Sequence, residues 1–146
     1  MKPAALILAL MPLTAAAADF GVPSGTDMEL YEVLIDKVDT QDWARFRFVA
    51  PGIDRFKPNA PDFFRLLNDF PVLCDKIALP YLTEYKLEPA IIAISMSDRV
   101  VEFGTADPEA TQYFELLASR TATAFGRNSD ATTISCGAPF IQMRNW

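Results

Sequence analysis

The stretch MELYEVLIDKVDTQDWARFRFVA, residues 28–50, decides the fold class. Tyr31, Val33 and Ile35 alternate with Glu32, Leu34 and Asp36, and Ala44, Phe46 and Phe48 alternate with Arg45 and Arg47. A period of two is that of a strand with one buried face. Pairing Val38 with Trp43 across the DTQD turn brings the two registers into agreement. Tyr31, Val33, Ile35, Ala44, Phe46 and Phe48 then share an apolar side, while Glu32, Asp36, Arg45 and Arg47 share a charged one. An antiparallel hairpin of this kind buries its apolar side and leaves the opposite side free for cross-strand ion pairs.

Downstream, APGIDRFKPNA (residues 50–60) reads as a loop. It leads into PDFFRLLNDFPVLCDKIALPYL, where Phe63, Leu66/Leu67, Phe70, Leu73/Cys74 and Ile77 recur at helical spacing. Pro71 predicts a break near Phe70 with a restart capped by Asp69, and Pro80 predicts the end of the run. Residues 90–97, AIIAISMS, read as a central strand. Ile92, Ile94 and Met96 lie on one side of it; Ile91, Ala93, Ser95 and Ser97 on the other are mostly small, which suits a helix lying close. VVEF (residues 100–103) reads as a short strand after a tight turn at Asp98-Arg99. Asp107-Pro108-Glu109 reads as the start of a second helix, with Ala110, Tyr113/Phe114 and Leu117 as its buried stripe. TTISC and FIQMRNW are expected to close the sheet. The expected fold is therefore α+β: a mainly antiparallel sheet of four to six strands, two helices packed on one face, and one disulfide.

The chain opens MKPAALILALMPLTAAAADFG: one lysine, an apolar core over residues 4–13, then a run of small residues. This is the pattern of a secretory leader cleaved after Ala18, and the apolar run is too short to span a bilayer. Residues 1–18 are thus expected to be removed and residues 19–146 to form one domain, periplasmic or secreted, with no membrane span after cleavage. Thirteen basic residues stand against nineteen acidic ones, and Lys2 leaves with the leader, so the mature chain carries a formal charge of −7. Such a chain repels phosphate backbones, and nucleic acid is not an expected partner. In an oxidising compartment the two cysteines, Cys74 and Cys136, are expected to pair as a structural disulfide.

The chain has no histidine. That removes the usual serine and cysteine triads, His-ligated metal centres and the commonest general base. No glycine-rich phosphate loop is present. Asp36, Asp39 and Asp42 around the hairpin turn lack the spacing of an EF-hand and read as turn residues. No metal and no cofactor is expected. Of the carboxylates, Asp98 and Glu102 in SMSDRVVEFG are weak candidates for hydrolytic chemistry, although every residue of that stretch also has a turn-making role. Trp43, Arg45, Arg47 and Arg99 are the candidate contact residues, because exposed Trp and Arg are enriched in binding surfaces. The simpler alternative pairs the arginines with Glu32 and Asp36. Two functions follow: a non-catalytic binding or accessory protein, with a protein or small ligand in the cell envelope as partner, or a carboxylate-dependent hydrolase of an extracytoplasmic substrate.

ISMSDRVVEFGTADPEATQYFE (residues 94–115), with VLCDKIALPYL (residues 72–82) and the late Cys136, resembles a family of small exported proteins, chiefly alphaproteobacterial and of unknown function. The motif runs through Asp98, Arg99, Val101, Phe103-Gly104, Asp107 to Ala110, and Gln112, and the likeness extends from about Val22 onward. The resemblance implies export and a disulfide-bearing α+β domain. It implies no activity.

Overall fold

The computed structural model describes residues 19–123 and 132–140. Its centre is a five-stranded sheet in the order β1 (Glu29–Val38), β2 (Gln41–Val49), β3 (Ile91–Ser97), β4 (Gln112–Thr123) and β5 (Thr132–Phe140). Between β2 and β3 the chain crosses over through a helical segment: α1 (Phe63–Leu66), α2 (Asp69–Leu73), a π turn (Cys74–Ala78) and α3 (Leu79–Glu84). The class is α+β, with two refinements. First, β2 and β3 pair in parallel at the heart of an otherwise antiparallel sheet, so the sheet is mixed. A crossover long enough to carry a helix is what a parallel pairing requires. Second, one broken helical segment, rather than two separate helices, covers the sheet.

The expected hairpin forms with its register displaced by two residues: Val38 pairs with Gln41, and Asp36 with Trp43. Asp39 takes the left-handed conformation (φ 55°) that lets two residues close the turn. A displacement of two changes the partners, Val33 now lying beside Phe46 and Ile35 beside Ala44, but preserves the faces. Tyr31 is the exception. The register slips between Leu30 and Glu32, and this bulge puts Leu30 against the core while Tyr31 turns to the charged side, beneath the Arg47 guanidinium.

The helical segment forms as its periodicity predicts, but its prolines act differently. The break falls at residues 67–68, α2 starts at Asp69, and Pro71 sits in the first turn, where a missing N–H costs nothing. Pro80 starts α3 instead of ending the run. The chain widens into a π turn just before it, where the Leu79 N–H donates to the Cys74 carbonyl. Leu66, Phe70, Leu73, Cys74, Ala78 and Leu82 are fully buried against Ala44, Phe46, Phe48, Ile92, Ile94, Met96 and Leu117. The lead-in is bound to the same layer. Phe20 packs edge-on to Phe48, and buried Asp69 accepts hydrogen bonds from the Ser24 N–H and hydroxyl at 2.9 and 2.5 Å. Cys74 and Cys136 form the expected disulfide, Cα–Cα 6.3 Å, tying the π turn to β5.

Two elements differ from expectation. Residues 100–103 are not a strand, and Asp107 does not start a helix; residues 98–111 form one long loop, and the chain from Gln112 is β4. The spacing of Ala110, Tyr113 and Leu117 fits a helix, yet Tyr113, Glu115 and Leu117 also alternate with Phe114 and Leu116. Glu115, an acid on the buried side, masks that alternation. Residues 1–18, the expected leader, and residues 141–146, which include most of FIQMRNW, lie outside the described residues. No helix among the described residues is long and apolar enough to cross a membrane.

Candidate functional site

Among the described residues, the helical layer covers one face of the sheet and leaves the other open. On the open face the register sets Arg45, Ala93 and Leu116 side by side across β2, β3 and β4, and Arg47, Ser95 and Phe114 in the next row. The expectation that a helix lies over Ala93 and Ser95 is thereby corrected: the helices pack on the Ile92, Ile94 and Met96 side. The small residues of β3 are instead the floor of a trough, with tall side chains of β2 and β4 rising about 10 Å apart on either side. Trp43 stands at one end, and Val101 to Thr105 of the long loop wall off the other. The resulting groove has a volume of about 460 Å³, within the range of roughly 300–1,000 Å³ typical of small-molecule sites.

The walls are fixed by ion pairs and stacked rings. The Arg45 Nε and Nη2 donate to the two carboxylate oxygens of Asp36 at 2.9 and 3.2 Å. Arg47, only 5% exposed, donates through Nη1 to Glu32 and through Nη2 to the Val101 carbonyl at 2.6 Å. Both guanidinium groups lie against the Phe103 ring, at 5.2 and 5.6 Å from its centroid, and Arg45 also stacks on Trp43 at 4.7 Å. The sequence thus presents two alternatives for these arginines, contact groups or partners of Glu32 and Asp36, and the fold makes them groove-lining and paired at once. The Trp43 indole N–H has no hydrogen-bond partner among the described residues.

The loop that forms the end wall is pinned at its base. The Asp98 N–H donates to the Thr111 carbonyl. Arg55 clamps the loop through the Ala110 and Pro108 carbonyls at 2.9 and 2.6 Å, and its own N–H donates to the Thr111 hydroxyl. Gly104 (φ 81°) completes the turn in which the Thr105 N–H donates to the Glu102 carbonyl. This turn lifts Phe103 over the arginines.

The weak catalytic candidates are not gathered at one place. Glu102 lines the groove and Asp98 does not. The Asp98 carboxylate is buried and bonded by the Arg99 Nε and Nη2, both at 3.1 Å. Burial would raise its pKa, but the Arg99 hydrogen bonds, the Thr111 backbone and the charges of Arg99 and Arg55 outweigh it and hold the group below the ordinary aspartate value. A carboxylate so held is a poor proton donor. Arg99 is occupied by Asp98 and reaches toward the Glu109 carbonyl, outside the groove lining. No group of three His, Cys, Asp or Glu side chains among the described residues is placed to hold a metal ion. Sequence reasoning missed Phe103 and Phe114 as site residues; both are large, apolar and about half exposed (50% and 45%). The alternation of β4 carried the signal for Phe114.

The model of a family of unknown function, DUF6497, matches residues 6–124. The chain belongs to the DUF6497 family. The match takes in every residue lining the groove and stops short of Cys136. No curated protein and no solved structure matches the chain.

Proposed function

We propose that this member of the DUF6497 family is exported and acts as a non-catalytic binding or accessory protein of the cell envelope, receiving a protein or small-ligand partner in the groove on the open sheet face. The observation that carries this reading is the groove itself. A sheet in a domain of this size ordinarily gains stability by covering apolar side chains, yet Trp43, Phe103, Leu116 and Phe114 are gathered around a floor of Ala93 and Ser95, and no helix or strand among the described residues is laid over them. A concave, largely apolar surface with a few fixed polar groups is the usual form of a binding site. Export is supported by the leader at residues 1–18 and by the disulfide. Chemistry at the groove has little support, since its lining offers a single carboxylate, Glu102, and no histidine, cysteine or lysine.

The test fills the groove from its floor. Ser95→Leu places a branched side chain on the open face of β3 and leaves the core face untouched. Wild-type protein recovered from the native envelope fraction should begin at Asp19, and adding envelope extract should raise its melting temperature through ligand linkage. The Ser95→Leu protein should keep its own melting temperature and lose the response. An equal response from both proteins would move the binding site elsewhere, and a chain beginning at Met1 in the cytoplasmic fraction would end the export reading.

A further inference from the structure

We propose that the occupant of the groove is a small organic cation: a positively charged nitrogen carried on an apolar or aromatic body. This rests on the reading of the groove as a binding site.

Two arginines in a pocket ordinarily point to an anion, and here the geometry points the other way. Each guanidinium is already matched by a carboxylate on β1, Arg45 by Asp36 and Arg47 by Glu32. The remaining Arg47 Nη2 holds the Val101 carbonyl, and the planar faces of both groups are stacked on Trp43, Tyr31 and Phe103. The arginines therefore build the walls. With them counted, the site has two cations against three carboxylates. The one with no ion-pair partner among the described residues is Glu102, exposed at the end wall beside Phe103.

The aromatic rings add to the same preference. The faces of Phe and Trp carry the negative part of the ring quadrupole and attract cations at short range. Phe103 and Phe114 present about half of their surface to the groove side or to solvent. The Trp43 and Phe103 rings already carry the Arg45 and Arg47 guanidinium groups, whereas Phe114 carries none among the described residues. An entering anion would meet the Glu102 carboxylate and the Phe114 ring, and a cation would gain from both. Ala93 and Leu116 supply an apolar floor and flank for its body. A volume of about 460 Å³ suits a small molecule. The −7 charge of the mature chain draws cations toward the whole surface.

The experiment uses the mature, disulfide-intact protein and amide-resolved NMR titration with three probes of similar body: benzyltrimethylammonium, phenylacetate and benzyl alcohol. Benzyltrimethylammonium is expected to shift the amides of residues 102–105 and 112–116 and the Trp43 indole N–H saturably. Glu102→Gln, an exposed change that leaves the fold intact, is expected to weaken that binding about fivefold. Phenylacetate is expected to leave those signals in place. If phenylacetate or benzyl alcohol binds the same residues as tightly as the cation, the inference fails while the groove remains a binding site. If the cation's shifts fall elsewhere or ignore Glu102→Gln, the inference also fails. If acetyl-Phe-Lys-Phe-amide saturates the groove and benzyltrimethylammonium does not, a basic peptide replaces the small cation. Silence of the groove residues toward all three probes and the peptide would overturn both the inference and the binding reading.

Discussion

Glu115 stands where an apolar side chain would complete the core. It follows Tyr113 and precedes Leu117 on the covered side of β4, opposite Ile94, and is only 7% exposed, with its Oε2 unpartnered among the described residues. Burial pushes its pKa above the ordinary glutamate value. The folded state therefore holds this proton more tightly than the unfolded chain does. The associated stability is fully present below the unfolded glutamate pKa and is lost as pH rises through the folded one. Replacing Glu115 by leucine, of similar volume, removes that dependence. Its melting temperature at pH 7 is expected to rise by about 3–8 °C, equivalent to about 1–2 kcal/mol. The gain should shrink as pH falls toward 4, where the wild-type carboxyl is protonated. A variant less stable than wild type at pH 7 would mean that the carboxylate makes a favourable contact. The same residue explains why β4 was hard to read as a strand: one acid in the buried row breaks the alternation from which strands are recognised.

At the scale of the element, local pattern was a good guide wherever a segment's own side chains determined its state. The alternation of residues 28–50 predicted both strands and their faces, because a two-residue register displacement leaves faces unchanged. The helical spacing from Phe63 to Ile77 predicted the covering layer and the burial of Cys74. Tertiary context decided the rest. Asp107-Pro108-Glu109 is good helix-starting chemistry, but the loop that holds it is anchored from outside by Arg55 and Arg99, and the following residues gain more by pairing on both edges of β4. No local signal distinguishes those outcomes. The parallel pairing of β2 with β3 is equally invisible to local pattern, since it depends on where the crossover returns. The disulfide makes an element-scale prediction. It joins a π turn of the covering layer to the edge strand β5 across 62 residues, and a link closing a loop of that length is worth about 4 kcal/mol in the chain-entropy model. Cys74→Ser with Cys136→Ser is expected to lower the melting temperature by at least about 10 °C. An unchanged melting temperature would show that the covering layer and β5 hold together without the link.

For the molecule as a whole, the informative property is the asymmetry of the sheet's two faces, which the sequence showed only in part. The hairpin pattern places Trp43, Arg45 and Arg47 together on the outer side, but the small residues of β3 suggest a helix over Ala93 and Ser95, which assigns the floor of the groove to the core. Deciding which side of a central strand is covered requires the path of the whole crossover. Once that path is known, the two faces make contrasting predictions for truncations of Leu117 and Phe114, which lie on opposite faces of β4. Leu117→Ala opens a cavity among Ile92 and the helical residues and is expected to cost about 2–5 kcal/mol. Phe114→Ala removes a larger side chain from the open face, where 45% of it is already in contact with solvent, and is expected to cost only about 1–1.5 kcal/mol. Denaturant midpoints for the two variants, at unchanged slope, measure the difference directly. A large aromatic ring that contributes so little to folding for its size needs another reason for its position. If Phe114→Ala proved as damaging as Leu117→Ala, the open face would be a second structural core, and the groove would lose its claim to be a binding site.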